Sequence, residues 1–327
     1  MRFLRNIFGA GENYRMFQAD VLRWKCIAPH PFWEGGRGYA LRYKGEIAAF
    51  GCLVPSRFLT GSGTVASCNV IDWAASKAVP GAGIMLYRHI QGLTDTMINI
   101  GGTEDARNVL PTIGFQVRAQ IHHYTRVLRP WRHLRQAGRM DWKSPLRLAR
   151  DYRELARRPP AALAARRVES FDGVPGAVFP DASVTRQVVC ARTPESLGYF
   201  LACPAASMEA YLLERDGTPV GYFLLSRVGH ECRIADLWIR SAEGQDWAAA
   251  YAAATAAAGE DPHTTAVTVT ARMPPPAYRR THSEPVFVLD PAARLGGRND
   301  LTVGYLENDA FYWSPNPASN RAKYISS

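Results

Sequence analysis

Two predicted β-hairpins, each followed by a strand, a helix and another strand, constrain the fold of this chain more than any other feature. The first hairpin covers 39–60 and turns at Gly45, and the second covers 209–229 and turns at Gly217. Both place extended, largely apolar segments on either side of a short glycine turn, which is typical of antiparallel strands. With helices between the strands, this order predicts an α/β (α+β) protein with a mixed, largely antiparallel sheet.

The remaining elements follow from hydrophobic periodicity and from residues that break helices and strands. A short helix is expected at 274–282, where three prolines precede it, and closing strands are expected at 285–290 and 301–312. Further strands are predicted at 64–76, 96–102, 116–128, 230–241 and 264–272, and helices at 79–93, 103–115 and 243–259.

A short motif recurs in the two halves of the chain. Cys68 lies four residues before Asp72, Cys232 lies four residues before Asp236, and a tryptophan follows each aspartate. Together with the shared order of elements, this motif predicts an internal duplication. The predicted units are an N-terminal domain at 1–128, a basic amphipathic linker at 129–167 and a C-terminal domain at 168–327.

The net charge of +10 is concentrated in one segment. Residues 126–167 contain 13 Arg or Lys and three acidic residues, so the flanking regions are neutral on balance. A folded surface that reads nucleic acid would usually carry the positive charge itself, so nucleic acid is not an expected partner. Because Trp131, Trp142 and Leu146 accompany the arginines, the segment fits either a solvated linker or a strip that binds an anionic membrane surface. Contact with a glycan or a nucleic acid is a third interpretation.

The cysteines and the apolar runs indicate where the protein resides. Six cysteines occur without a CxxC pair or a Cys/His cluster, which predicts buried thiols in a reducing cytoplasm and no zinc or other metal. No run of about 18 apolar residues is present, and the first residues lack the apolar core of a secretory signal. The expected location is the cytoplasm, and contact of the basic segment with a membrane would place the protein at the inner membrane face.

A glycine-containing loop joins a predicted strand to a predicted helix at Lys77-Ala-Val-Pro-Gly81-Ala-Gly83. Glycines at a helix N-terminus let backbone N–H groups approach an anion, which the helix dipole also favours. The loop is neither a Walker loop nor a dinucleotide fingerprint, since Leu86 replaces the third glycine of the latter. A pyrophosphate site and a tight turn before a core helix are both consistent with it.

With this loop in place, residues 15–128 resemble the GNAT acyltransferase superfamily. That superfamily has an antiparallel hairpin, a loop of Q/R-x-x-G-x-G/A type before a helix, and a Gly-Phe pair before its last strands. Here 78–83 occupies the loop, and Gly114-Phe115 occupies the Gly-Phe position. A fainter resemblance, by order of elements alone, covers 165–315. Tandem GNAT-like domains of this kind occur in FemAB-like transferases and in acyltransferases tied to bacterial polysaccharide synthesis.

The resemblance implies acetyl-CoA or another acyl-CoA as co-substrate, without a metal. Loop N–H groups would hold the pyrophosphate, one strand would pair with the pantetheine amides, and polar residues at the end of the next strand would line the cleft. The implied residues are Gly81, Ala82, Gly83 and Ile84 for the pyrophosphate, Ile71, Trp73 and Ala74 for pantetheine, Asn99 and Thr103 in the cleft, and Lys77 for one phosphate contact.

Two positions depart from the superfamily pattern. Ala78 stands where the loop usually has a basic residue or glutamine, and Leu110 stands where the usual tyrosine acid would be. An ammonium cannot attack a thioester, so the reaction also needs a base. The resemblance makes Asp72 the first candidate for this base, and His30 is an alternative. A strand-end or capping aspartate and a loop histidine are the structural interpretations of the same two residues.

Other polar residues are ambiguous from the sequence. His122 and His123 are adjacent on a predicted strand, so one faces each side of the sheet. In the second half, Glu243 and Asp246 stand where the first half has its glycines and would repel a pyrophosphate. The C-terminal domain is therefore expected to shape the acceptor cleft and not to bind CoA.

The leading hypothesis is an acyl-CoA-dependent N-acyltransferase that transfers the acyl group directly to an amine on a small molecule or a glycan. An amino sugar in bacterial cell-surface polysaccharide synthesis follows from analogy with tandem GNAT proteins. Two alternatives stay open. One is a non-catalytic binding protein built from degenerate GNAT folds, and the other is a FemAB-like transferase that uses aminoacyl-tRNA and contacts RNA through the basic segment.

Overall fold

The computed structural model describes residues 1–136, 138, 140–157, 162–181, 187–296 and 301–313. Within these ranges, a single mixed sheet of twelve strands runs through the protein, flanked by eight α-helices. Most neighbouring strands are antiparallel, as the sequence predicts. In the part of the chain that the structure describes, no helix has the length and apolar character to cross a membrane.

The bounds of the elements are as follows. The strands are β1 (Gly38–Tyr43), β2 (Glu46–Thr60), β3 (Gly63–Ala75), β4 (Thr96–Ile100), β5 (Gln116–Val127), β6 (Ala164–Val168), β7 (Val189–Cys190), β8 (Ser207–Arg215), β9 (Thr218–Val228), β10 (Glu231–Ile239), β11 (Ala266–Ala271) and β12 (Arg279–Leu289). The helices are α1 (Arg2–Phe8), α2 (Ala19–Cys26), α3 (Ala82–Gln91), α4 (Glu104–Val109), α5 (Pro130–Gln136), α6 (Ser144–Leu155), α7 (Pro194–Leu201) and α8 (Gly244–Glu260).

The strand order of the two halves is similar when the sheet is read from its two ends, apart from the additional edge strand β6. It runs β1-β2-β3-β4-β12-β5-β11-β10-β9-β8-β6, and β7 pairs with β2. The strands β1 to β4 of the first half thus mirror β8 to β11 of the second, while β5 and β12 have exchanged places at the centre. The parallel pairs β3–β4 and β10–β11 occupy matching positions. Strands on opposite sides of the predicted boundaries at 128 and 168 pair with each other, as β5 does with β11 and β12, and β6 with β8. The division into domains stays a prediction.

The two faces of the sheet carry different helices. Helices α3 and α8 pack on one face, against apolar clusters that include Leu86 and Ala254 respectively. Helices α1, α2 and α7 pack on the other face, where Trp24 and Phe200 join one large core with the segment 305–312. This second core spans both halves, so the halves are joined by packing as well as by the continuous sheet.

Most local predictions agree with the structure. The two hairpins turn where expected, with Gly45 and Gly217 both at positive φ. The basic segment forms the helices α5 and α6, and its last residues enter the edge strand β6. All six cysteines are free and buried, as predicted.

Two predictions near the C-terminus are wrong. The helix expected at 274–282 is absent, because Arg279 already begins β12 and pairing with β5 outweighs the local proline signal. The strand expected at 301–312 is instead a loop with a 3₁₀ turn at Tyr305–Glu307. Its apolar side chains, among them Leu306 and Phe311, enter the core and do not alternate between two faces.

Candidate functional site

A gap opens between the parallel strands β3 and β4. The two strands pair only at Ser67–Thr96, Cys68–Met97 and Asn69–Ile98. Beyond that point β3 continues to Ala75 beside β2, while β4 pairs with β12 on its other side. Backbone groups that face such a gap need partners, and an extended ligand that carries amides can supply them.

Asn99 lies at the start of this gap. Its Nδ2 atom is 3.5 Å from the Val70 carbonyl oxygen and 3.5 Å from the Tyr87 hydroxyl. Its Oδ1 atom is buried and has no hydrogen-bond partner among the residues described. A buried amide oxygen without a donor is unfavourable, so this atom is positioned to accept a hydrogen bond from a ligand.

The N-terminus of α3 closes the loop that leaves β3. Gly81 precedes the helix with a φ of 80°, and no side chain within the described structure caps this end. The first-turn N–H groups of a helix have no intrahelical partners. The Trp73 indole N–H donates to the Gly83 carbonyl at 3.1 Å, and its ring packs edge-on against Tyr87. These contacts hold the start of the helix against the end of β3.

A side chain at Gly83, the second glycine of the loop, would be crowded by its neighbours. A Cβ atom on Gly83 would lie 3.0 Å from the Ala75 Cβ and 3.3 Å from the Trp73 indole nitrogen. A Cβ on Gly81, in contrast, would meet nothing within 4 Å, so that glycine is selected by its backbone angle and leaves open space in front of the helix.

The predicted cofactor residues differ in their exposure and in what their side chains contact. Gly81 and Lys77 are exposed at the loop, Ile84 is partly buried, and Ala82 and Gly83 are buried in the first turn. Thr103 is exposed and caps α4 by accepting from the Ala106 N–H at 3.3 Å. The side chains of Ile71 and Ala74 pack into cores on the face opposite α3, so only their backbone is available to the gap.

Asp72 forms a buried ion pair. It adopts a φ of 51°, and its Oδ2 atom lies 2.5 Å from Nζ of Lys25 on α2. Burial opposes the charge on Lys25, but the Asp72 carboxylate outweighs it and holds the pKa of the amine above its ordinary value. The side chains of Lys25 and Asp72 are 2% and 7% exposed, so each charge depends on the other.

His30 is a buried, neutral imidazole. Its Nδ1 accepts from the Phe32 N–H at 3.2 Å, and its ring packs edge-on against Tyr199. Burial and the nearby Arg37 cation lower the pKa of His30 to about 3. Together with Lys25 it lines a cavity of about 10 Å³, roughly the room that one water molecule needs.

The second half repeats the arrangement around Asp72 with different partners. Asp236, which occupies the matching place in β10, accepts from Arg192 at 2.7 Å and from the Tyr222 hydroxyl at 2.8 Å. Arg192 also pairs with Glu307 at 2.5 Å. Both aspartates of the repeated motif are thus held by a buried cation from the face that carries α2 and α7.

A further polar cluster was missed by the sequence analysis. His123 Nε2 lies 3.1 Å from Glu284 Oε2, and the His123 and His282 rings stack at 4.0 Å. His282 and Glu284 are two residues apart, a spacing that places both on one face of a strand. The sequence instead predicted a helix at 274–282, so this spacing was not recognised. His122 faces the other side and bonds Ser283 at 2.7 Å, so the prediction that the adjacent histidines face opposite sides is confirmed.

Contacts among His123, His282 and Glu284 shift the pKa values of the last two side chains. Burial and the neighbouring His123 lower the pKa of His282. Burial would raise the pKa of Glu284, but the hydrogen bond from His123 and the charges nearby lower it overall. The cluster therefore holds a carboxylate beside two imidazoles.

Comparison with solved structures identifies the fold. A GCN5-related N-acetyltransferase from Anabaena variabilis aligns with a TM-score of 0.57 and 11% identity, over 88% of this chain and 68% of the other. A probable N-acyltransferase from Enterococcus faecalis, described as a conserved protein of unknown function, aligns with a TM-score of 0.53, 11% identity and coverage of 88% and 69%. Saccharomyces cerevisiae N-myristoyltransferase with bound myristoyl-CoA gives 0.52, 12% identity and coverage of 88% and 79%.

Sequence comparison adds no closer relation. No protein-family model and no curated protein sequence matches the chain. The structural matches establish that the chain has the fold of the GNAT superfamily, as the loop and strand order predicted.

Proposed function

We propose that the protein is an acyl-CoA-dependent N-acyltransferase whose reaction takes place in the gap between β3 and β4. One observation carries this proposal: the two strands part directly beside a helix N-terminus that no described side chain caps. An acyl-CoA combines a pyrophosphate with an extended chain of amides, and these two features suit those two groups. The fold neighbours support acyl transfer in general.

The residues of the gap define how the co-substrate would be held. The N–H groups at Gly83 and Ile84 would bind pyrophosphate oxygens, and the exposed Lys77 would add a positive charge. The free edge of β3 would pair with the pantetheine amides. The unpartnered Oδ1 atom of Asn99 would accept from one amide N–H, which would satisfy an otherwise orphaned atom.

The transfer itself is a direct attack on the thioester. The amine nitrogen forms a bond to the acyl carbon, the bond from carbon to sulfur breaks, and CoA leaves as a thiolate. The amine loses one proton to a base, and the thiolate gains one proton from an acid. Burial raises the pKa of Tyr87 above its ordinary value, which makes this hydroxyl a poor acid. In place of the tyrosine that Leu110 replaces, it would donate a hydrogen bond to the leaving thiolate, and water would supply the proton.

The base that takes the proton from the attacking amine is proposed from the sequence alone. Asp72 and His30 were the two candidates, and both lie in the buried cluster behind β3. Their contacts favour structural roles, because Asp72 is neutralised by Lys25 and a histidine with a pKa of about 3 is a weak base. The acceptor is proposed to be an amine on a small molecule or a glycan, with an amino sugar as the specific candidate.

Calorimetric titration with acetyl-CoA and longer acyl-CoAs tests the proposal. We expect binding by the wild type, strong weakening by Gly81→Asp and retained binding by Gly81→Asn. Both variants place a side chain at the same positive φ, which aspartate and asparagine tolerate similarly, so they differ in charge alone. Release of free thiol with an added amine would then report transfer. If no acyl-CoA binds the wild type, the proposal is wrong.

We further propose that the basic segment contacts an anionic membrane surface. On α6 and just before it, Trp142 is 80% exposed and Leu146 is 68% exposed, and both lie among arginines and lysines. Apolar side chains that project from a basic surface suit anionic head groups. Sedimentation with anionic vesicles at low salt should retain the wild type and release Trp142→Ser together with Leu146→Ser. Equal retention of wild type and variant would contradict the proposal.

A further inference from the structure

Two histidines and a glutamate gather beyond the end of β4 and have no part in the proposed transfer. His123 on β5 and His282 on β12 are register partners, and Glu284 follows two residues later on β12. Because side chains alternate along a strand, all three project from the same face of the sheet. Strand pairing thus brings together residues that are about 160 positions apart in the chain.

The three side chains offer donor atoms at short range. One imidazole nitrogen from each histidine and one carboxylate oxygen all lie within 4.8 Å of one another. Atoms that bind one tetrahedral zinc ion at roughly 2.0–2.2 Å are about 3.3 Å apart. The two imidazole rings stack with an interplanar angle of 9°, so they would rotate out of this parallel arrangement to direct both nitrogen lone pairs at a common ion.

The surroundings orient the donors. The Thr281 hydroxyl lies 3.2 Å from His282 Nδ1 and donates to the His123 carbonyl at 3.1 Å, which leaves Nε2 of His282 for a ligand. A Cβ on Gly101 would lie 2.7 Å from Glu284 Oε1, so the glycine leaves the space that this carboxylate occupies. Among the described ion pairs, Glu284 pairs with His123 alone.

We propose that His123, His282 and Glu284 bind a divalent transition-metal ion, with Zn²⁺ as the test ion. Two imidazole nitrogens and one carboxylate oxygen form a donor set that Zn²⁺ takes in proteins when a fourth position stays open for water or substrate. The Glu284 side chain is 34% exposed, so solvent reaches this donor. The site follows from strand register and donor chemistry, so it is independent of the proposed acyl transfer.

Metal titration of the full-length protein, after removal of metals with a chelator, tests this site. Calorimetry with Zn²⁺ should give one ion per chain, and Co²⁺ should give visible d–d absorption bands. His123→Gln, His282→Gln and Glu284→Gln should each weaken binding by about 100-fold or more. The matched control is His122→Gln, because His122 is the adjacent histidine on the opposite face and should bind as the wild type does.

Thermal unfolding separates loss of the site from loss of the fold. Zn²⁺ should raise the Tm of the wild type and of His122→Gln but leave that of Glu284→Gln unchanged. Glu284→Gln is the mildest of the three variants, since its side chain is partly exposed, and circular dichroism would verify its fold. Absence of Zn²⁺ binding by the wild type, or equal weakening by His122→Gln and His123→Gln, would overturn the proposal whether or not acyl-CoA binds.

Discussion

The two halves of the sheet share a strand order but begin their central helices differently. Helix α3 follows Gly81 and has no acidic residue in its first turn. Helix α8 follows Glu243 and carries Asp246 in its first turn, where it pairs with Arg215. Both helix ends attract negative charge through the helix dipole, but in α8 the protein's own carboxylates already supply it. One topology thus leaves an uncapped helix N-terminus without acidic residues in one half, and a helix N-terminus with acidic side chains in the other.

The two aspartates of the repeated motif also differ in their ion pairs. Asp72 is balanced by one lysine, whereas Asp236 shares Arg192 with Glu307. A repeated motif in the sequence therefore marks a repeated position in the fold, while its partners differ between the halves.

Removal of the buried cations should produce the largest effect and test whether the two charge clusters are equivalent. Arg192→Met leaves two buried carboxylates without a cation, whereas Lys25→Met leaves one, so both should lower the free energy of unfolding by roughly 3–5 kcal/mol, the arginine variant more. Urea unfolding measures the difference. The double variant Lys25→Met with Asp72→Asn should recover part of the loss, because asparagine tolerates the positive φ and leaves no unpaired charge. Equal stability of all variants would show that the pairs are unimportant.

A negative charge at the N-terminus of α3 or of α8 should affect the Kd for acetyl-CoA differently. Gly81→Asp should raise the Kd for acetyl-CoA by about 100-fold, because the new carboxylate occupies the anion site and repels the pyrophosphate. Gly244→Asp adds the same charge at the start of α8 and should leave the Kd within about twofold. Calorimetry measures both. Similar weakening by the two variants would remove the distinction between the halves.

A decrease in pH should lower the free energy of unfolding through protonation of His30, which lies in the first half. Its pKa is about 3 in the folded protein and near 6.5 when unfolded, so the unfolded state binds more protons between these values. Stability is therefore full above pH 6.5 and falls as the pH decreases, by about 2 kcal/mol at pH 5. Urea unfolding at pH 7 and pH 5 should show this loss, and His30→Asn, which keeps an acceptor for Phe32, should reduce it. An unchanged loss in the variant would assign the pH dependence to other groups.

The smallest expected effect concerns the hydroxyl in the gap. Tyr87→Phe should lower kcat for acyl transfer by about 10-fold, with little change in KM, since it removes the proposed hydrogen bond to the thiolate and keeps the ring. The control Tyr251→Phe, on helix α8 of the second half, should leave kcat unchanged. Steady-state thiol release measures both variants, and an unaltered kcat in Tyr87→Phe would show that this hydroxyl does not stabilise the thiolate.

The sequence predicts what short segments encode. The hairpins, the loop before α3 and the opposite orientation of His122 and His123 all follow from alternation and turn residues within a few positions. The partner of Asp72 could not be predicted, because Lys25 belongs to a short helix with no visible signal and meets Asp72 only through packing. The exchange of β5 and β12 and the cluster at His123 depend on contacts across about 160 residues, which no local pattern contains.

The exchanged strands also determine when the protein can finish folding. During synthesis, β4 and β5 leave the ribosome long before β12, the strand that lies between them. Until about residue 289 has emerged, both strands keep an unpaired edge, and such edges favour association with other chains. Closure of the sheet then requires contacts between distant parts of the chain, which slows folding. We therefore expect the nascent chain to depend on chaperones until β12 is inserted.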